Sequence, residues 1–265
     1  MTRILKYALP ALACLVFSCS VERNLTLVQY SVGVFNKSGS DSMDEIVAMM
    51  KEAGADVLSL NELDSCTTRT GGVFQLGEFA SKMGSWDYTF ARAIDYKGGG
   101  YGIGLASDPR REVVGRDRFI LDRGEGDEYR ACAVQEFRHF VVLTTHLEHR
   151  HHATALAQAK AIDEWAAARY GISDKPVFLC GDLNSRPESA VLEMLKGRWK
   201  VLSPEECTYS ADNPHKCIDY VLLLDNPGAS RVRVRKAAVL KGFSSGDVRT
   251  ASDHLPVLVK FSIKR

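Results

Sequence analysis

Four short stretches of strand-like sequence in this chain run into an amide, a carboxylate or an imidazole, and a fifth follows such residues. Val57-Leu58-Ser59-Leu60 leads to Asn61-Glu62, and Val141-Val142-Leu143 leads through two threonines to His146. Val177-Phe178-Leu179-Cys180-Gly181 leads to Asp182, with Asn184 two residues on. The alternating stretch 25–35 leads to Asn36, and Asp253-His254 precedes Leu255-Pro256-Val257. Apolar runs this short suit strands buried on both faces. Strand ends in layered α/β folds are where ligand sites gather, so these polar residues are expected to converge.

The intervening sequence reads as helices and further strands. Helices are expected over 43–52, stopped by Gly54, and over 75–83, 153–170 and 188–196. Strands are expected over 101–107, 130–137, 140–145, 218–223, 232–239 and 257–263. Strands outnumber helices in the second half, which points to an α/β layered sandwich rather than a strictly alternating parallel fold. The chain has 265 residues, 45% of them hydrophobic, and neither a repeat nor a Pro/Ser-rich linker divides it. A single domain over 25–265 is expected.

The N-terminus reads as an address. Arg3 and Lys6 precede a short apolar run broken by Pro10 and ending Leu15-Val16-Phe17-Ser18-Cys19. This is the pattern of a secretory signal, too short and interrupted for a membrane-spanning helix. The cysteine after a small residue is similar to a bacterial lipobox, which implies removal of 1–18, lipidation of Cys19 and an exported, membrane-anchored protein. Residues 19–24 would form a tether of roughly 20 Å when extended. Of the remaining cysteines, 66, 132, 180, 207 and 217, none has zinc-ligand spacing, and Cys207 could pair with Cys217 in an oxidising compartment.

Charge bears on the partner. The formal charge is +1, and losing Arg3 and Lys6 takes it to −1. Avid duplex binders carry a basic stripe. The dense basic run here is Arg231-Val-Arg-Val-Arg-Lys236, which suits either a solvated strand face or a phosphate-attracting patch. Nucleic acid is therefore a less favoured substrate, and a monomer is expected.

An Asp-, Glu-, Asn- and His-rich site suits hard cations such as Mg²⁺, Mn²⁺ or Ca²⁺ rather than zinc. Each motif alone is commonplace: a single Asp-Leu-Asn after a strand is more often a turn than a catalytic element. Their joint order carries the weight. With the Gly99–Ser107 segment and Ile218-Asp219-Tyr220, they are similar in order to the endonuclease/exonuclease/phosphatase superfamily, from about Leu27 to Phe261. The resemblance implies two mixed sheets packed face to face with helices outside.

It also implies a divalent-metal-dependent hydrolase acting on a phosphoester by direct water attack. On this resemblance Glu62, Asn36 and Asp253 hold the metal. Asp182 and Asn184 position water, Asp219 orients His254, and His146 meets the scissile phosphate. Whether Asp182 or His254 is the base stays open. Arg130 and His149 are candidates for substrate contact, and structural ion pairing or a solvated loop are the competing readings. The sequence departs from the family at Asn61, where glutamine is usual, and at Lys37 and Ser38. A small-molecule or lipid-derived ester is the favoured substrate, an extracytoplasmic nuclease the second reading, and a non-catalytic binding lipoprotein a distant third.

Overall fold

A computed structural model describes residues 23–37 and 39–264, so the expected signal segment, Cys19 and residues 19–22 of the expected tether lie outside the described residues. Twelve strands are described: β1 (Arg23–Ser31), β2 (Val57–Ser65), β3 (Asp87–Tyr96), β4 (Gly99–Ser107), β5 (Val113–Leu121) and β6 (Arg130–Phe137), then β7 (Val141–His146), β8 (Val177–Asp182), β9 (Trp199–Val201), β10 (Asp219–Leu224), β11 (Val232–Val239) and β12 (Val257–Ile263). The α-helices are α1 (Met43–Ala53), α2 (Gln75–Gly84), α3 (His152–Tyr170), α4 (Ala190–Lys196) and the short α5 (Val248–Ala251).

Two six-stranded mixed sheets result, ordered β11-β12-β1-β2-β4-β3 and β5-β6-β7-β8-β10-β9. Their central strands are buried on both faces, as the apolar runs require. Along β8 the side chains alternate by the two-residue period. Phe178 and Cys180 join the core shared with the first sheet, and Val177 and Leu179 join a second core that includes residues of α3 and α4. Phe178 stacks on Phe261 of β12 across the interface, with centroids 4.5 Å apart. This is the expected four-layer sandwich.

Differences from the expectation lie at edges and ends. Strands β3, β5 and β9 are additional, and β3, β5, β9 and β11 are the four sheet edges. Strand β1 stops at Ser31, four residues earlier than expected, because Gly33, Val34 and Phe35 take φ of 54°, 50° and 55° and coil the chain into a 3₁₀ turn. The basic run is solvated: β11 is an edge strand, exposed over residues 233–236, with a bulge between Val234 and Lys236 that breaks the alternation of the arginines. All five cysteines of the described residues are free thiols.

Candidate active site

Strands β1, β2, β7 and β8 run in parallel within their sheets, so their C-terminal ends lie at one end of the sandwich. Strand β10, antiparallel to β8, begins there with Asp219 opposite Asp182. A cavity of about 640 Å³ opens at this end. Glu62, Arg130, His146, His149, Asp182, Asn184, Asp253 and His254 all line it.

Local backbone devices aim these side chains. Glu62 sits at φ 61°, inside a bulge where β2 gains one residue on β4 between Leu60 and Leu63. A bulge re-aims a side chain, here into the cavity, and a left-handed glutamate persists only where its surroundings impose it. Asn184 is also left-handed, at φ 46°. Its backbone N–H donates to Asp182 Oδ1 at 2.8 Å and its Nδ2 donates to the Leu147 carbonyl at 2.9 Å. Gly181 lets β8 reach this point: a Cβ there would lie 2.1 Å from the Thr145 carbonyl oxygen.

Asp182, Asp219 and His254 form a tight buried cluster. His254 Nδ1 lies 2.8 Å from Asp219 Oδ2, which also accepts from Thr208 Oγ1 at 2.6 Å. Asp182 Oδ2 faces His146 Nε2 at 3.5 Å and His254 Nε2 at 3.7 Å. Burial, then the Asp219 charge, push the Asp182 carboxyl well up. Burial opposes charge on His254, yet Asp219 and Asp182 outweigh it and hold the imidazolium. Burial, helped by Arg130, keeps His146 neutral.

Glu62 and Asp253 are two carboxylates of the cavity lining that could hold a cation. Burial raises the Glu62 carboxyl. No side-chain donor among the described residues reaches its oxygens, and Asp253 receives one long contact, 3.5 Å from Ser252 Oγ. Half-buried carboxylates without donors are costly unless a cation joins them, so the donor set fits a hard divalent metal.

Asn36 does not join this group. It is exposed and lines a separate, smaller pocket of about 160 Å³ with Asp41, Thr70 and Gln75. The 3₁₀ turn after Ser31 carries it there, and among the described residues none from 23 to 61 lines the main cavity. Arg130 is 5% exposed and its Nη2 lies 3.2 Å from His149 Nδ1 and 3.9 Å from both Glu128 and Glu148. Its Nε is buried without a partner. Glu136, on the same strand, pairs with Lys175 instead.

The walls hold residues that strand-end patterns could not single out: Arg69, Tyr96, Tyr209, Lys216 and Arg186. Tyr101, also in the lining, falls within the Gly99–Ser107 segment. Arg69 is clamped on Asp64 by bonds of 2.6 and 2.8 Å and lies 4.6 Å from the Tyr96 ring centre.

Residues 28–254 match the model of a family described as "Endonuclease/Exonuclease/phosphatase family". Similar solved structures include an endonuclease/exonuclease/phosphatase family protein from Bacteroides thetaiotaomicron, 18% identical, with 92% of this chain and 97% of that one covered at a TM-score of 0.73. A mannosyl-6-phosphatase from the same organism is 18% identical, over 89% and 99% of the two chains, at 0.73. ANGEL2, described as a 2′,3′-cyclic phosphatase, is 14% identical, over 91% and 95%, at 0.71. At these identities the likeness is one of fold. A search of the curated proteins returns no match.

Proposed function

The chain belongs to the endonuclease/exonuclease/phosphatase family and is a phosphoester hydrolase, and we propose that it cleaves small, water-soluble phosphoesters outside the cytoplasm. The observation that carries the substrate reading is the cavity. At about 640 Å³ it has the size of a small-molecule site. A long cationic track is missing from its lining: its cations, Arg69, Arg130, Arg186 and Lys216, are interspersed with Glu62, Glu128, Asp182, Glu188 and Asp253.

Orientation supports the same reading. The first described residue, Arg23, pairs with Ile263 at the far end of β1 from the cavity. Nine residues of strand span on the order of 30 Å. With Cys19 lipidated four residues earlier, the mouth would face away from the bilayer. That favours a soluble ester over a lipid of the same membrane.

Glu62 and Asp253 would hold Mg²⁺ or Mn²⁺, which supplies charge neutralisation on a nonbridging phosphate oxygen. The protein's own groups divide the rest. Asp182 Oδ2, between two imidazoles and with a raised pKa, accepts the proton of the attacking water. The Asn184 side chain, fixed by its bond to Leu147, helps to orient that water. His254, kept protonated and fixed by Asp219, binds a phosphate oxygen. Neutral His146 contacts the leaving side, and Arg130, with His149 beside it, receives a further phosphate oxygen.

A panel of sugar phosphates, nucleotide esters, inositol phosphates, sphingomyelin-type lipid, RNA and plasmid DNA tests this with Mn²⁺ or Mg²⁺ and with chelator. Chelator-sensitive turnover of soluble small esters is expected. An inert protein would overturn the reading, and faster cleavage of plasmid DNA would replace it with the nuclease.

A further inference from the structure

One buried side chain of β1 touches both halves of the catalytic cluster. Gln29 is 0% exposed. Its Nε2 donates to Asn61 Oδ1 at 2.7 Å and to Asp219 Oδ1 at 3.2 Å. Its Oε1 accepts from the Ser59 hydroxyl, which in turn bonds Thr144 Oγ1 at 2.6 Å. Each partner governs a catalytic group. Asn61 Oδ1 also accepts the backbone N–H of Asp182 at 2.9 Å, and Asn61 Nδ2 donates to the Thr145 carbonyl at 3.1 Å. The other oxygen of Asp219 holds His254.

The chemistry of this position is specific. Both Asn61 Oδ1 and Asp219 Oδ1 present lone pairs, so the group between them must offer two N–H bonds. A primary amide does, and its carbonyl is left for the serine hydroxyl. A glutamate of the same shape would set a carboxylate oxygen against Asp219. Gln29 reaches Asn61 from the neighbouring strand, where β1 pairs β2 with Ser31 opposite Asn61. Ser31 adds a weaker contact to Asp219 Oδ1 at 3.4 Å.

We propose that Gln29 is a positioning residue for hydrolysis: it fixes Asp219, and through Asp219 the ring of His254, while fixing Asn61, and through Asn61 the backbone that carries Asp182. Resting on the hydrolase reading of the same cavity, the idea makes a prediction that packing alone does not. Partners that orient catalytic ligands are worth about 10- to 100-fold in activity. Their loss also fails to multiply with loss of the group they orient.

The test is a double-mutant cycle of Gln29→Met and Asp219→Asn on the full chain, with kcat and KM measured on the best soluble ester and Tm recorded for each variant. Gln29→Met is expected to lower kcat about 10- to 100-fold with KM changed less than about threefold. In the Asp219→Asn background, which removes the arm through Asp219 and leaves the arm through Asn61, the same change should cost less than it does in the wild-type background. Gln29→Asn, which keeps the amide but shortens it, should fall between wild type and Gln29→Met, and it carries the test if the methionine variant does not fold. Wild-type kcat in both Gln29 variants, or a full multiplicative loss in the Asp219→Asn background, would overturn the proposal. A wild-type protein with no phosphoesterase activity would instead strike the functional reading itself.

Discussion

At the residue scale, the cluster is organised by which protons it keeps. Burial and mutual repulsion raise Asp182 and Glu62, and two carboxylates raise His254. A group whose folded pKa is raised binds more protons folded than unfolded, so its stabilising effect is complete below its unfolded value and is lost as pH rises through the folded one. For Asp182 that window runs from 3.8 to about 8, and for His254 from 6.5 to about 10. His146 acts oppositely, costing stability as pH falls below 6.5. The metal-free protein is therefore expected to lose Tm between about pH 7 and pH 9. Saturating Mn²⁺ should flatten that slope by favouring the ionised carboxylates, and calorimetry with and without metal checks both. Glu62→Gln should lower kcat about a hundredfold or more and weaken Mn²⁺ binding in titration calorimetry. Normal metal affinity in that variant would remove Glu62 from the ligand set. The convergence of Glu62, Asp182, Asn184, Asp253 and His254 on one cavity was legible because each sits within a few residues of an apolar strand. Gln29 was not, since its partner Asp219 is 190 residues away. Asn36 was misplaced because nothing local announces that β1 stops at Ser31.

At the element scale, the site depends on backbone irregularities more than on strand propensity. The β2 bulge turns Glu62 inward, and Gly181, at φ 152°, lets β8 pass against β7. Gly181→Ala would drive a methyl group into the Thr145 carbonyl. It is expected to cost about 2 kcal/mol or more and to depress activity, because Asp182 is the next residue. Denaturant unfolding and kcat on the same preparation measure both effects, and an alanine variant of wild-type stability would contradict the argument. Central strands were readable as apolar runs, and α1, α3 and α4 from caps, alanine content and the residues that start or stop them. The edge strands β3 and β5 were not, since Asp87–Tyr96 and Val113–Leu121 mix charges with apolar residues as solvent-facing edges do.

At the scale of the whole molecule, two sheets share one core and bring parallel strand ends from both to the same cavity. Phe178 stands at the middle of that core, stacked on Phe261 and edge-on to Phe140. Phe178→Ala is expected to cost about 3–5 kcal/mol, measured by urea unfolding, while kcat per folded molecule at low temperature stays near wild type. The layered architecture was legible in the order of motifs, whereas the walls of the cavity, Arg69, Tyr96, Tyr209 and Lys216, come together only when the sheets pack. The central claim is that this end of the sandwich hydrolyses small phosphoesters by direct water attack with a divalent cation held by Glu62 and Asp253. Turnover of a soluble ester in ¹⁸O-labelled water with Mn²⁺ tests it most directly. The account predicts one labelled oxygen in each phosphoryl product, lost with chelator and with Asp182→Asn. Label in the alcohol product, or turnover indifferent to chelator, would contradict it.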